Sequence, residues 1–367
     1  MIASDCNKIG QEPYVSFVTW GRNDGYTPDY VLRVNRATNY LVNQLERVGV
    51  PSEIVISEWN PAPSRPLLLD VLDLPKSLNH VSVRGVIVDR AHHMQFGGSH
   101  ERGVHSGEAA NVGIRRARGR FVTVKASDTF FTPNVVEMIG RQDLDPDTMY
   151  RVDRHDISIE DSSIWNLDDD ALLAKFESLP SVPHLWIDQL PAWGLRELHT
   201  NACGDFTLLA AAYWRLLRGH PRDPTVLSLD IDSLVMHAAA ALGVRECRWL
   251  NAKVYKPLHA NLNNTRITQI WAPWQRRLDK LLADKVSPEA AHRARTMFDY
   301  PRRKIRNIES IVGPSIERNF VKPASEWARG AMPAITQPKN WGLADRPLEQ
   351  RILCRAAWDR TLTGAER

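Results

Sequence analysis

The sequence predicts an α/β protein built on a largely parallel central sheet. Two observations carry that prediction. Within residues 14–127, short runs rich in β-formers alternate with longer runs at helical spacing, in the order strand, helix, strand, strand, helix, strand. The two helical runs close on Gly49 and Gly119, the residue type that best tolerates the left-handed backbone of a helix end. The first strand is "YVSFVTW" (14–20). Thr27 and Pro28 then stand where an N-cap and a first helical residue belong, and helical spacing runs from there to Gly49. "SEIVISEW" (52–59) and "VSVRGVIVD" (81–89) read as the second and third strands. "SGEAANVGIRRARG" (106–119) reads as a helix with Ser106 as its cap, and "RFVTVKAS" (120–127) as the fourth strand.

Beyond residue 150 the pattern loosens. Residues 150–204 are rich in Trp and Pro and read as loops and short elements laid over the sheet. "DFTLLAAAYWRLLRG" (205–219) and "LSLDIDSLVMHAAAALG" (227–243) read as helices, and 245–263 as two short strands followed by a polar run. From about residue 266, helical spacing dominates, including "LEQRILCRAAWDRTL". The expected division is therefore a sheet domain over 1–265 and a helical C-terminal extension over 266–367.

Composition narrows the class. Apolar residues are 43% and charged residues 25% of the chain, as in soluble globular proteins. No apolar run nears the ~20 residues that span a bilayer, and the first ten residues lack the pattern of a secretory signal. The four cysteines, Cys6, Cys203, Cys247 and Cys354, form no C-x-x-C pair. That argues against a zinc site or a disulfide framework and fits a reducing cytoplasm. The net charge is +4, with basic clusters in "WQRRLDKLL" and "YPRRKIRNIE" that read as solvated helix faces. No nucleic-acid partner is expected.

In a parallel sheet, ligands bind beyond the carboxyl ends of the strands. Those ends carry Gly21, Arg22, Asn23 and Asp24 after the first strand, Glu58 after the second, and Asp128 after the fourth. Asp128 is an isolated acid between an apolar run and two phenylalanines. An unpaired buried carboxylate is costly, so Asp128 either caps a turn or faces a cation.

The ordered segments "VSFVTWGRND", "EIVISEWNP", "NVGIRRARGRFVTVKASD", "GDF", "LDIDSL" and "VYKPLH", over residues 14–262, resemble glycosyltransferases with the GT-A fold, of the family 2 type. The resemblance implies transfer of a sugar from a nucleotide-diphosphate sugar to an acceptor hydroxyl on a small molecule, a glycan or a lipid-linked chain. It also implies a divalent cation, Mn²⁺ or Mg²⁺. The family's strand end carries Asp-x-Asp. Counted from Gly119, the seventh residue here is Ala126 and the ninth Asp128, so the second acid is matched and the first is lost. Asp128, with His259 of "VYKPLH" as second ligand, is the implied metal site. Mg²⁺ keeps several waters and needs only one or two carboxylates beside the phosphates. Thr19, Gly21, Arg22, Asp24, Glu58, Asn111 and Ser127 are the implied nucleotide-sugar residues, Glu58 as an acceptor-only group for a ribose diol or a base N–H. Glu58 also reads as a surface acid at a strand end, and Gly113 and Ala117, near Asn111, as residues that let the helix pack tightly on the sheet.

Inverting members of the family place an acid at the start of a helix about eleven residues before a glycine. Asp232 stands eleven residues before Gly243, with Ile231 where the family has a glutamate. Asp232 is the implied general base, accepting the acceptor's proton as the new C–O bond forms; the alternative is that Asp230 or Asp232 is the helix N-cap. Gly204 and Asp205 of "GDF" and Trp193 of "LPAWGL" are the implied acceptor residues, Trp193 by stacking on a sugar face. The C-terminal helices are expected to offer a homodimer surface. Two other classes stay open: a sugar-phosphate nucleotidyltransferase, for which "GRNDGY" is a poor glycine-rich loop, and a non-catalytic nucleotide-sugar-binding protein, suggested by the losses at Ala126 and Ile231.

Overall fold

The computed structural model describes residues 12–25, 27–100, 103–183, 198–199, 203–222, 231–258 and 322–359. The amino-terminal elements follow the predicted alternation. β1 (Val15–Gly21), α1 (Tyr30–Val48) and β2 (Ser52–Trp59) are followed by the short α2 (Leu68–Val71) and β3 (Ser77–Leu78), then by β4 (Val81–Val88). The short α3 (Arg90–His93), α4 (Ser106–Arg116) and β5 (Phe121–Val124) complete this half. α1 starts two residues after the expected Pro28, with Asp29 as N-cap, and ends on Gly49 at φ 71°, whose N–H reaches the carbonyls of Leu45 and Glu46. Gly119 is required by a close approach: a Cβ there would sit 2.6 Å from the backbone nitrogen of Ser16.

The second half holds β6 (Phe130–Phe131), α5 (Pro133–Gly140), β7 (Thr148–Ile157), α6 (Asp169–Ser178), β8 (Ser181–Pro183), β9 (Thr207–Ala210), α7 (Ala211–Leu217), α8 (Ile231–Ala241) and β10 (Arg245–Pro257). α9 (Lys322–Ala328) and β11 (Glu349–Ala356) come from the carboxyl-terminal part. Among the described residues one sheet runs β3-β11-β4-β2-β1-β5-β9-β7-β10-β6, with β8 paired to β7. Its centre, β4-β2-β1-β5, is parallel throughout. β9 enters antiparallel to both β5 and β7, and β10 lies parallel to β7.

Period-two alternation splits the strand side chains between two faces. Phe17, Ile54, Ile56, Val83 and Phe121 pack with α1 and α5. Val18, Val55, Val86, Val122 and Val124 pack with α4, α7, α8 and α9. Each fully buried side chain of this kind contributes about 1.5–3 kcal/mol, so the two faces hold the sheet and allow polar residues to be carried at the strand ends.

Four readings from the sequence change. Residues 148–157, expected among loops, form the ten-residue β7. Residues 207–210, expected in a helix, form β9, because β5 and β7 flank them with open edges, Val124 opposite Thr207 and Tyr150 opposite Leu208. Residues 245–257 are one strand with a register shift between Arg248 and Lys253, not two. Residues 349–356, expected as helix, form β11 against the edge of β4, with Cys354 and Ala356 buried. Leu, Gln and Arg favour a helix in isolation, but an open strand edge outweighs a propensity of a few tenths of a kcal/mol per residue. The expected division at residue 265 falls outside the described residues.

Candidate functional site

The carboxyl end of β5 and the start of β9 meet because the two strands run antiparallel, with Val124 opposite Thr207. That register sets residues 125–128 beside residues 203–206. Two polar groups assemble there.

The first surrounds Asp128, which is 2% exposed. Arg33, from the first turns of α1, donates from Nε to Asp128 Oδ2 at 3.2 Å. Its Nη2 donates to Thr27 Oγ1 at 3.0 Å and its Nη1 pairs with Asp29. Lys256, at the end of β10, donates its ammonium to Asp128 Oδ1. Asp128 thus faces cations, and they belong to the protein. Among the described residues Lys125, also 2% exposed, hydrogen-bonds only the Ser127 carbonyl, at 3.4 Å. Burial pushes its ammonium down to about 7, against the pull of Asp128. Ser127 Oγ shares a hydrogen bond with the Tyr30 hydroxyl at 3.0 Å. Gly21 makes room for that ring, since a Cβ there would lie 2.4 Å from the Tyr30 hydroxyl. Thr19, on the neighbouring strand, is buried, and its hydroxyl has no partner among the described residues.

The second group surrounds Asp232 in the first turn of α8. Its Oδ1 accepts from the Ser233 N–H at 3.1 Å, and its Oδ2 would stand 2.6 Å from a Cβ on Gly204. Gly204 is thus the residue whose lack of a side chain admits Asp232. His220 is buried, tilted against Trp214 at 5.4 Å between ring centroids, and lies in the field of Asp232. Burial holds its imidazole below the ordinary range, and the nearby carboxylate opposes this. Asp205 accepts from Arg154 Nη1 at 2.5 Å, and Arg154 also clasps Asp156. Lys125 lies in the fields of both Asp128 and Asp205, and Asp205 follows Gly204 in the chain.

The remaining predicted residues take other places. Arg22 and Asp24 pair at 3.1 Å on the loop after β1, and Arg22 Nη1 donates to the Gly103 carbonyl. The Glu58 carboxylate accepts from the N–H groups of Leu68 and Leu69, at 2.5 and 3.0 Å, and so caps α2. Burial raises its carboxyl while those two N–H groups act against the rise. Asn111 is fully buried in α4 and uses both ends of its amide on the backbone of His220. Trp193 and His259 lie outside the described residues. Lys125 and Lys256 lie inside two of the segments that carry the resemblance, which gives them no role, and Arg33 and His220 lie in none. The one signal for Lys125 is its phase: it continues the Phe121, Thr123 alternation that points to the α1 face.

A divalent cation at Asp128 would need further oxygen or nitrogen donors. Among the described residues no group of three or more His, Cys, Asp or Glu side chains is gathered to hold a metal ion. Ala126 supplies no donor, and both Asp128 oxygens already accept from Arg33 and Lys256. The described residues do not fit a metal centre. No helix among them is long and apolar enough to cross a membrane.

No protein-family model matches the chain, and no curated protein matches it in sequence. Solved structures do resemble it. One is a mannosyltransferase from Pyrobaculum calidifontis in complex with GDP-Man and Mn²⁺, at 14% identity and a TM-score of 0.39 over 87% of this chain and 84% of that one. Another is TarS 1–349 from S. aureus, at 12% identity and a TM-score of 0.38 over 86% and 78%. A third is the catalytic domain of Drosophila β1,4-galactosyltransferase 7 in complex with xylobiose, at 10% identity and a TM-score of 0.32 over 64% and 63%.

Proposed function

We propose that the chain is a glycosyltransferase that moves a sugar from a nucleotide-diphosphate sugar to an acceptor hydroxyl, with inversion, and that Asp232 is its general base. The observation that supports this most is the β5–β9 register, Val124 opposite Thr207, together with the seat of Asp232 against Gly204. These put the base candidate and the Lys125–Asp128 turn at one edge of the sheet.

In this reading the nucleotide lies over the ends of β1 and β5, near Thr19, Gly21 and Ser127, with its diphosphate toward Lys125 and Asp128. The sugar carbon faces Asp232. The acceptor hydroxyl enters beside Gly204 and Asp205, with Trp193 as a stacking surface. Asp232 accepts the hydroxyl proton as oxygen attacks the anomeric carbon, and the bond to the diphosphate breaks on the opposite side. Cationic groups must offset the charge that grows on the leaving diphosphate. The sequence resemblance assigns that task to a divalent cation on Asp128 and His259; the charges gathered around Asp128 favour the protein's own cations.

The test is incubation of the purified protein with UDP-, GDP- and dTDP-sugars, following release of nucleoside diphosphate with and without acceptor sugars. Turnover is expected with at least one donor, and Asp232→Asn should lower it about 10²- to 10⁴-fold while leaving donor binding intact. Pyrophosphate release from a nucleoside triphosphate and a sugar phosphate would instead identify a nucleotidyltransferase. Donor binding without turnover, unaffected by Asp232→Asn, would identify a non-catalytic binder.

A further inference from the structure

We infer that the site around Asp128 binds the diphosphate of its nucleotide directly on Lys125 and Lys256, without a bridging divalent cation, and that Asp128 holds Lys256 in place and sets the field on Lys125 instead of ligating a metal. The inference rests on the glycosyl-transfer reading for its ligand class, a nucleoside diphosphate or its sugar ester.

The strand end keeps one acid and has Ala126 where the resemblance calls for another. Immediately before that alanine stands Lys125, on the buried face of β5. A lysine is rarely enclosed so fully unless its charge is used. Its only hydrogen bond is the long one to the Ser127 carbonyl, so two of its three donors are unspent among the described residues. Lys256 is 14% exposed in its side chain and, among the described residues, pairs with Asp128 alone. Arg33 is the fixed partner, since Thr27 and Asp29 hold the rest of its guanidinium. Arg33 and Lys256 therefore both bond one carboxylate, Lys125 lies in its field, and Lys256 contacts no other acid among the described residues. A divalent cation brought into this cluster would be repelled by Arg33 and Lys256, and by Lys125 whenever it is protonated. A diphosphate would instead take up the open donors of Lys125 and draw Lys256 from Asp128, leaving Asp128 paired with Arg33. The unpartnered Thr19 hydroxyl on the adjacent strand end offers a neutral donor on the same side.

The two readings of Asp128 predict opposite signs. If Asp128 ligates a metal, its loss removes nucleotide binding. If it restrains Lys256, its loss releases that ammonium and leaves binding equal or tighter. The experiment is isothermal titration calorimetry of UDP, GDP and inorganic pyrophosphate into the full chain, once in excess EDTA and once with Mn²⁺ or Mg²⁺. Binding in EDTA is expected, and it should weaken with added salt as a contact between charges does. Lys125→Met, which keeps an unbranched apolar stem, should weaken binding about tenfold or more. Asp128→Asn should keep or raise affinity. Lys256→Met, at a more exposed position, serves if Lys125→Met does not give a folded protein by thermal unfolding.

Binding that appears only with a divalent cation would overturn the inference, as would loss of binding in a folded Asp128→Asn, or unchanged affinity in a folded Lys125→Met. Absence of nucleotide binding under every condition would overturn it too. The outcomes separate it from the proposed function. Metal-dependent sugar transfer sinks this inference and leaves the function standing. Metal-free diphosphate binding with no transfer to any acceptor leaves the inference and sinks the function.

Discussion

Glu53 on β2 is fully buried, and its replacement by glutamine is the sharpest test of how the sheet is held together. Its Oε1 accepts from Ser16 Oγ at 2.6 Å and from the Arg118 N–H at 2.5 Å. Its Oε2 accepts from Arg84 Nε at 3.0 Å and Arg118 Nε at 2.9 Å. One carboxylate thus joins β1, β4 and the turn into β5. Arg118 extends the network to Asp359 near the end of the chain, with two bonds at 2.8 and 2.9 Å. Glu53→Gln keeps the shape but removes the charge and turns an amide N–H₂ toward a guanidinium. Removing one partner of a buried pair costs about 3–5 kcal/mol. Arg118 keeps Asp359, so the lower part of that range is expected. With 367 residues and about 2.1 cal/mol/K per residue of unfolding entropy, this corresponds to a Tm lower by about 4–5 °C in a cooperative transition.

The pH dependence has a definite sign. Burial by itself would raise the Glu53 carboxyl, but Arg84, Arg118 and the bonds from the Arg118 backbone and Ser16 overcome it and hold it below the ordinary value. As pH falls, the unfolded chain therefore takes up this proton first. The network's stabilisation is complete above the ordinary glutamate range and is lost as pH drops through the lowered native value. The gap between wild type and Glu53→Gln should be full at neutral pH and close progressively below about pH 4. Urea unfolding at several pH values measures it. A gap under about 1 kcal/mol at neutral pH, or one that does not narrow in acid, would refute the reasoning.

Three further outcomes are expected. Gly204→Ala forces Asp232 away from its seat and should lower turnover about 10²-fold with little change in unfolding temperature; unchanged turnover in steady-state kinetics would remove Gly204 from the site. Glu58→Gln disturbs the cap of α2 and should cost about 1–2 kcal/mol in urea unfolding while nucleotide affinity holds; a large affinity loss at unchanged stability would restore Glu58 to ribose binding. Asn111→Asp sets an oxygen against the His220 carbonyl deep in the fold, so it should destabilise by about 1–3 kcal/mol, with nucleotide affinity measured alongside as the control.

What could be read from the residues alone was local. Alternation placed β1, β2 and β4 within a residue or so, and Gly49 marked the end of α1, because both signals depend on neighbours a few positions away. The strand-end rule likewise brought Asp128 and Gly21 to one edge, and the family resemblance set Asp232 near the start of the helix that is α8. Tertiary structure decided what these groups touch. Arg33 and Lys256 stand 95 and 128 positions from Asp128, and no local pattern couples them. Gly204 and Asp232 meet only because β9 inserts beside β5. The carboxyl-terminal residues 349–356 suit a helix in isolation and become a strand because β4 presents an open edge. Backbone propensity is settled within a few residues and so is written in the chain. Charge pairing and edge pairing act through space, and only the folded molecule supplies the partner.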